Sequence, residues 1–367
     1  MNFTDISNFK HNLDDRQIYV DDEENTLSPL IVIVGETASG KSALAMELAK
    51  RFNGEIISAD SWTVYKGFDI GTAKPNEAER REIPHHLLDI ADPAKGFSAA
   101  EFKRQATAVI DDILKRGKLS ILVGGTGLYI DSVIYDYGFL PAGPVEERRR
   151  LDGLSNDELL SLATSRAIDT TGIDIGNKRR LVRLIESNGI RPYKSSLRPD
   201  TLIIGLLMNK DELEQRITVR TDNMLTAGLE QEVKSLADMY GWLVEPMKGI
   251  GYREWQTYFA GDQSLEQTRR RIISGSMQLA KKQRTWFRSS RYDQPPVNGS
   301  HFLAKTGPGA LDVPMGTSPA PKPVSSQKLS TPNKTNDRSA TTERNKSIHW
   351  LQNSRQAAAV VQKFLSK

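Results

Sequence analysis

Leu30-Ile-Val-Ile-Val-Gly35-Glu-Thr-Ala-Ser-Gly40-Lys41-Ser42 is the stretch on which the fold turns. Leu30 to Val34 are apolar on both faces, as in a parallel strand buried inside a sheet. The run stops at Gly35, and Ser42-Ala-Leu-Ala-Met-Glu-Leu-Ala-Lys-Arg-Phe52 then takes up helical spacing. Between strand and helix, Gly35, Thr37, Ala38, Ser39 and Gly40 are small enough for successive backbone N–H groups to point at phosphate oxygens. The start of the helix adds its partial positive charge. Lys41 supplies an ammonium to the terminal phosphates, and the Ser42 hydroxyl suits a Mg2+ ligand. This order of elements predicts an α/β fold: a P-loop-containing parallel sheet flanked by helices.

Working outward, Glu55-Ile-Ile-Ser58 reads as a second strand ending at Ala59-Asp60-Ser61, and residues 62–97 as loop-rich. Ser98-Ala-Ala-Glu101 is a capping box that opens a helix to about Arg116. Leu119-Ser-Ile-Leu-Val123 is a further buried strand, broken by Gly124-Gly125 and followed by a helix from Gly127 to about Tyr135. Residues 142–198 contain short helical patterns, a second box at Ser155–Glu158 and many arginines, and are expected to form a small helical domain inserted in the core. Thr201 to Leu207 returns to the sheet, and helices continue to about Ser289. The predicted core is therefore 30–141 with 199–291. A polar tail is expected over 1–29. A disordered low-complexity insertion is expected over 292–346, because its Pro, Ser, Thr, Asn and Lys cannot bury enough surface to offset ordering entropy. Residues 347–367 are expected to return to the core as a strand and a helix.

The 367 residues carry a net charge of +4 and no cysteine. Disulfides, thiolate metal sites and cysteine nucleophiles are thereby excluded, in keeping with a reducing compartment. The first residues do not join a basic stretch to an apolar one, and no apolar run has the length of a membrane span. A cytoplasmic, monomeric protein with no membrane partner is expected.

A hydrolytic P-loop enzyme places an acid at the end of a second buried strand, to hold Mg2+ and orient water. Leu119–Val123 ends instead in Gly124-Gly125-Thr126, and Thr201–Leu207 in Met208-Asn209. Only Glu55–Ser58 delivers a carboxylate, Asp60, at the crevice where strand ends converge. From the residues alone, Asp60 is either a base facing the phosphates or a structural loop acid.

These strings also carry a resemblance. The P-loop, Asp60-Ser61-x-x-x-Tyr65, Asp69-Ile-Gly-Thr-Ala-Lys-Pro75, Pro84-His-His-Leu-Leu-Asp89, Val123-Gly-Gly-Thr-Gly-Leu-Tyr129, Lys248-Gly-Ile-Gly-Tyr-Arg253 and Gln278-Leu-Ala-Lys-Lys-Gln-Arg-Thr-Trp-Phe-Arg288 are similar to those of tRNA dimethylallyltransferases of bacterial type, over about residues 30–291. The resemblance implies transfer of a dimethylallyl group from dimethylallyl diphosphate, with Mg2+, to N6 of the adenosine beside the anticodon of a tRNA stem-loop. It implies Asp60 as the base and Thr126 near the bridging oxygen of the donor. Arg216 and Arg220 would lie near its diphosphate, and Ser61, Trp62 and Thr63 would line the pocket of the acceptor base with Asp60. Contacts to RNA would come from Arg148, Arg179, Arg180, Arg183, Lys281 and the segment Lys248, Gly249, Ile250, Gly251, Tyr252 and Arg253. An adenylate dimethylallyltransferase, a P-loop kinase of a small metabolite and a non-catalytic RNA-binding protein are the competing readings. Two positions depart from the family pattern. Glu36 stands where proline is usual and is expected to face solvent, and Thr63 replaces a common glutamine.

Overall fold

The computed structural model describes residues 29–141, 143–206, 208–288, 348–351 and 354–366. All of the expected N-terminal tail but Pro29, and the whole of 292–346, lie outside them. The chain opens with β1 (Leu30–Gly35), α1 (Lys41–Arg51), β2 (Gly54–Ser58), α2 (Glu77–Glu82), β3 (His85–His86), α3 (Ala99–Lys115), β4 (Leu119–Gly124) and α4 (Gly127–Ile134). Then come α5 (Val145–Gly153), α6 (Asn156–Ser165), α7 (Lys178–Glu186) and β5 (Thr201–Leu206). They are followed by α8 (Lys210–Thr226), α9 (Leu229–Tyr240), a 3-10 turn at Glu245–Lys248, α10 (Trp255–Phe259) and α11 (Leu265–Phe287). β6 (Ile348–Leu351) and α12 (Ser354–Leu365) complete the described elements. The segment 62–97, read from sequence as loop-rich, thus holds a short helix and a two-residue strand. α2 forms because Asn76 and Glu79 make a reciprocal capping box at its start.

The six strands lie in the order β3-β2-β4-β1-β5-β6, every neighbouring pair parallel. β1 is central, so both faces of its apolar run are covered, and the period of two divides them. Leu30, Val32 and Val34 join the core beneath α3, α4, α9, α10 and α11. Ile31 and Ile33 pack on the opposite face with Leu44, Ala45 and Leu48 of α1 and Ala357, Ala358 and Val361 of α12. The predicted boxes at Ser98–Glu101 and Ser155–Glu158 both form. α5, α6 and α7 bury their own cluster, Leu151, Leu159, Ala163, Ile168, Leu181, Val182, Leu184 and Ile185. Among the described residues no helix is long and apolar enough to cross a membrane.

At one side of the sheet Glu55 of β2 is buried against Arg116, Lys118 and His86. Arg116 Nη2 donates to Oε2 at 2.7 Å, Lys118 Nζ to Oε1 at 2.8 Å and His86 Nε2 to Oε2 at 2.7 Å. The Arg116 contact, helped by Lys118 and His86 against the opposing effect of burial, holds the Glu55 carboxyl far below the usual range. These contacts tie β2 to β3 and to the α3–β4 connection. Replacing Glu55 by Ala leaves Arg116 and Lys118 facing each other without their anion, and takes the partner from His86. We expect urea unfolding to show a loss of about 3 kcal/mol in Glu55→Ala at neutral pH. The sign follows from the depressed pKa: the wild-type advantage is present above the unfolded carboxyl pKa and shrinks as acidification protonates Glu55.

Candidate active site

The P-loop leaves β1 at the sheet centre, and Gly40 takes a left-handed conformation, φ 91°, as the N-cap of α1. That turn aims the helix start and Lys41 into a cleft of about 410 Å³, lined by Thr37 to Ser42, Ser58, Asp60, Thr63, Gly124, Gly125, Arg216, Arg220 and Gln283. Lys41 Nζ donates to the Glu36 carbonyl oxygen. Burial brings the Lys41 pKa down to about 8, with Asp60 and Glu36 acting to raise it and Arg220 to lower it further. The Ser39 hydroxyl is buried, with no hydrogen-bond partner among the described residues.

Two loop crossings fix Asp60 and Thr126 beside the P-loop. The Ala59 amide bonds to Val123 O at 2.8 Å and the Thr126 amide to Ala59 O at 3.2 Å. Gly124 is required there: a Cβ on it would lie 2.1 Å from the Ala59 carbonyl oxygen, inside any real contact. Thr126 Oγ1 accepts the Ser61 amide at 3.0 Å and donates to Ser61 Oγ at 3.3 Å. Thr126 is the N-cap residue of α4, but its side chain makes no cap bond. Its hydroxyl is held by the Asp60 loop instead. Asp60 Oδ1 accepts the Trp62 amide at 2.9 Å, and Asp60 stays half-buried on the cleft wall. Beside it a narrower pocket of about 70 Å³ is lined by Thr37, Asp60, Trp62, Arg220, Ile217, Met224, Ile250, Ile272 and Leu279 among others. The lining of this pocket thus joins polar groups, Thr72, Thr221 and Ser276 among them, to apolar side chains.

α8 supplies two cations one turn apart. Arg220 Nη1 donates to Thr37 Oγ1 at 3.2 Å and Nη2 to Thr72 O at 3.3 Å. Burial lowers its pKa, and Asp60 opposes that shift. Arg216 is exposed, lines the same cleft and pairs with Glu212 at 2.8 Å.

α11 supports the loop from outside, a role that sequence reasoning missed. Gln283 Oε1 accepts the Thr37 amide at 2.8 Å, and its Nε2 donates to Gly125 O at 3.2 Å. The signal was present: Gln283 falls on the buried stripe Thr268, Ile272, Ala280, Phe287 of an otherwise basic helix. Glu36 contradicts its expectation. It is buried, not solvent-facing, because Arg284 on the same helix holds both its carboxylate oxygens.

The residues expected to meet RNA divide into two groups. Arg179, Arg180, Lys248, Arg253 and Lys281 are exposed. Arg148 and Arg183 both close on Glu186, and Arg183 Nη2 also donates to Leu140 O at 2.8 Å, which anchors α7. Ile250 and Gly251 line the narrow pocket, while Gly249 lies against the Trp62 ring. Tyr252 is an internal support. Its hydroxyl donates to Glu232 Oε1 at 2.8 Å, and the Glu232 carboxylate accepts the amides of Asp69, Ile70 and Gly71. Thr63 is buried, within 3.0 Å of Ser58 Oγ.

Comparison with known proteins bears on the same residues. The family model described as IPP transferase matches residues 63–290. A tRNA dimethylallyltransferase of Bacillus cytotoxicus is 41% identical over 282 residues, covering 73% of this chain and 89% of the relative. The solved full-length tRNA isopentenylpyrophosphate transferase of Bacillus halodurans superposes with a TM-score of 0.56 at 38% identity, over 71% of this chain and 87% of that one. A eukaryotic dimethylallyltransferase solved acting on tRNA gives 0.63 at 28% identity, over 71% of this chain and 70% of that one. The family model spans more than half of the sequence and takes in Asp69–Pro75, Gly124–Tyr129 and the whole of α11, so this chain belongs to the IPP transferase family.

Proposed function

We propose that this protein transfers a dimethylallyl group from dimethylallyl diphosphate to N6 of the adenosine adjacent to the anticodon of tRNA, releasing diphosphate. The observation that carries this reading is the position of Asp60. It lies on the wall shared by the anion cleft and the narrow, partly apolar pocket, with Lys41 and Arg220 close enough to act on it. A prenyl donor needs those two environments side by side: cations for its diphosphate and apolar walls for its five-carbon chain.

The P-loop amides, Lys41, Arg220 and Arg216 take the negative charge that grows on diphosphate as the C1–O bond lengthens. The Thr126 hydroxyl, fixed by Ser61 and next in sequence to Gly125 of the cleft wall, is on this reading the donor to the departing bridging oxygen. The N6 amine of adenine is a weak nucleophile, since its lone pair is delocalised into the ring. As the N6–C1 bond forms, one N6 proton passes to the Asp60 carboxylate. The base must leave its stack to reach C1, and Ser61, Trp62 and Thr63 continue the wall that receives it. Exposed Arg179, Arg180, Lys248, Arg253 and Lys281 hold RNA phosphates, while Arg148, Arg183 and Tyr252 act by keeping α7 and the 69–71 loop in place.

Mg2+ fits the same end of the cleft. Ser42 offers a hard oxygen donor at the start of α1, and among the described residues no cluster of three His, Asp or Glu could hold a metal unaided. Ser42 would hold the ion together with diphosphate oxygens and water. When bound, the ion supplies further charge stabilisation to the leaving group.

Labelled dimethylallyl diphosphate, offered with Mg2+ and either an anticodon stem-loop or AMP, tests the assignment. Label in the stem-loop is expected; label in AMP alone, or in neither, would overturn it. Asp60→Asn retains an acceptor for the Trp62 amide but is a poor base, so kcat should fall about 1000-fold while stem-loop affinity stays within about threefold. The Lys41 pKa gives a second test. Below about pH 8 the ammonium is already charged and meets the anion directly; above it, binding must take up a proton. The affinity advantage of wild type over Lys41→Met for diphosphate, measured by calorimetry, should therefore be flat below about pH 8 and shrink as pH rises beyond it.

A further inference from the structure

Glu36 places a carboxylate inside a loop whose task is to hold an anion. Its side chain is buried, and the acid has not escaped to solvent. Among the described residues its ion-pair partner is Arg284, which donates from Nε to Oε1 and from Nη2 to Oε2, the latter at 2.9 Å. The same Nη2 donates to Met208 O at 3.1 Å, just beyond β5. The Glu36 backbone carbonyl, meanwhile, accepts the Ser39 amide at 3.2 Å and the Lys41 ammonium. Arg284 therefore grips the residue whose carbonyl sets both the bend of the P-loop and the resting place of Lys41. Its neighbour Gln283 grips Thr37, so consecutive residues of α11 hold consecutive residues of the loop.

We propose that Arg284 is a positioning residue for the diphosphate site, acting through Glu36: it cancels the carboxylate that would otherwise repel the bound anion, and it fixes the Glu36 carbonyl from which Lys41 works. This deepens the reading of the cleft as a diphosphate site and rests on it. The two partners are not equivalent. Removing Arg284 leaves a buried, unpaired negative charge beside an anion site, while neutralising Glu36 leaves the site more positive. A purely structural strut would make both losses weaken binding alike.

The test uses the full chain and inorganic diphosphate with Mg2+, read by calorimetry. Arg284→Met is expected to weaken binding about tenfold or more, Glu36→Gln to leave it within about threefold of wild type or tighter, and the double variant to recover to within about threefold of Glu36→Gln. The KM for dimethylallyl diphosphate should follow the same order, with kcat less affected. Arg284→Lys keeps the charge without the two-pronged grip and should fall between wild type and Arg284→Met. If Arg284→Met does not fold, Glu36→Gln and Arg284→Lys carry the test: equal loss in both overturns the proposal. Wild-type binding of Arg284→Met, or a double variant as weak as Arg284→Met, likewise overturns it. Failure of the wild-type protein itself to bind diphosphate would overturn the reading of the cleft, and this proposal with it.

Discussion

Two cations taken out of water, Lys41 and Arg220, act on one half-buried carboxylate, Asp60, and on each other. Burial lowers the pKa of both cations, which means the folded chain holds them at some expense to its own stability. Such an arrangement persists only if the surrounding backbone cannot relax, and much of the structure can be read as meeting that condition. β1 lies at the centre of the sheet, so the strand that feeds the P-loop cannot shift. The loops after β2 and β4 press together at Gly124 and Ala59, which keeps Asp60 from swinging outward. Arg220 is tied to Thr37 and to the carbonyl of Thr72.

The second layer around the site comes from far along the chain. Thr37 and Gln283 are 246 residues apart in sequence, and Glu36 and Arg284 are 248 apart. Glu232 similarly gathers three backbone amides of the 69–71 loop, with Tyr252 beneath it. These supports have a common form: a side chain on a rigid helix satisfies polar groups of an irregular loop. A loop with buried N–H and carbonyl groups must find partners somewhere. Here helices α9 and α11 provide them, and the loop is rigid without itself being regular.

The division between what the sequence revealed and what it hid follows from this. Leu30–Val34, Leu119–Val123 and Thr201–Leu206 were legible as strands because both faces are apolar. The boxes at Ser98 and Ser155 were legible because capping is local. Asp60 could be placed at the crevice because strand ends converge there whatever the loops do. The short strand His85–His86 was missed because two residues have no period to read. Glu36 was misplaced for a different reason: its partner lies on a helix whose basic residues read as a surface. No local rule pairs an acid in a loop with one arginine among many. Only Gln283 left a trace, as a polar residue on a buried stripe.

The lack of an acid at the end of β4 then has a structural explanation that does not depend on sequence comparison. β4 ends in Gly124 and Gly125 because Ala59 presses on the first and Gln283 on the second, where a Cβ would come within 2.2 Å of its amide nitrogen. A carboxylate at Gly124 would have no room against the Ala59 backbone, and one at Gly125 would displace the Gln283 amide that holds Thr37. The space that a water-positioning acid would need is taken by the contacts that fix Asp60 and the P-loop. A site built in this way can hold the phosphate end of a substrate and offer a base nearby, but it has displaced from β4 the residue that would direct water at the phosphorus. On the proposed reading this is what the chemistry requires. The bond to be broken joins carbon to oxygen, the phosphorus centres stay intact, and the carboxylate belongs beside the incoming amine.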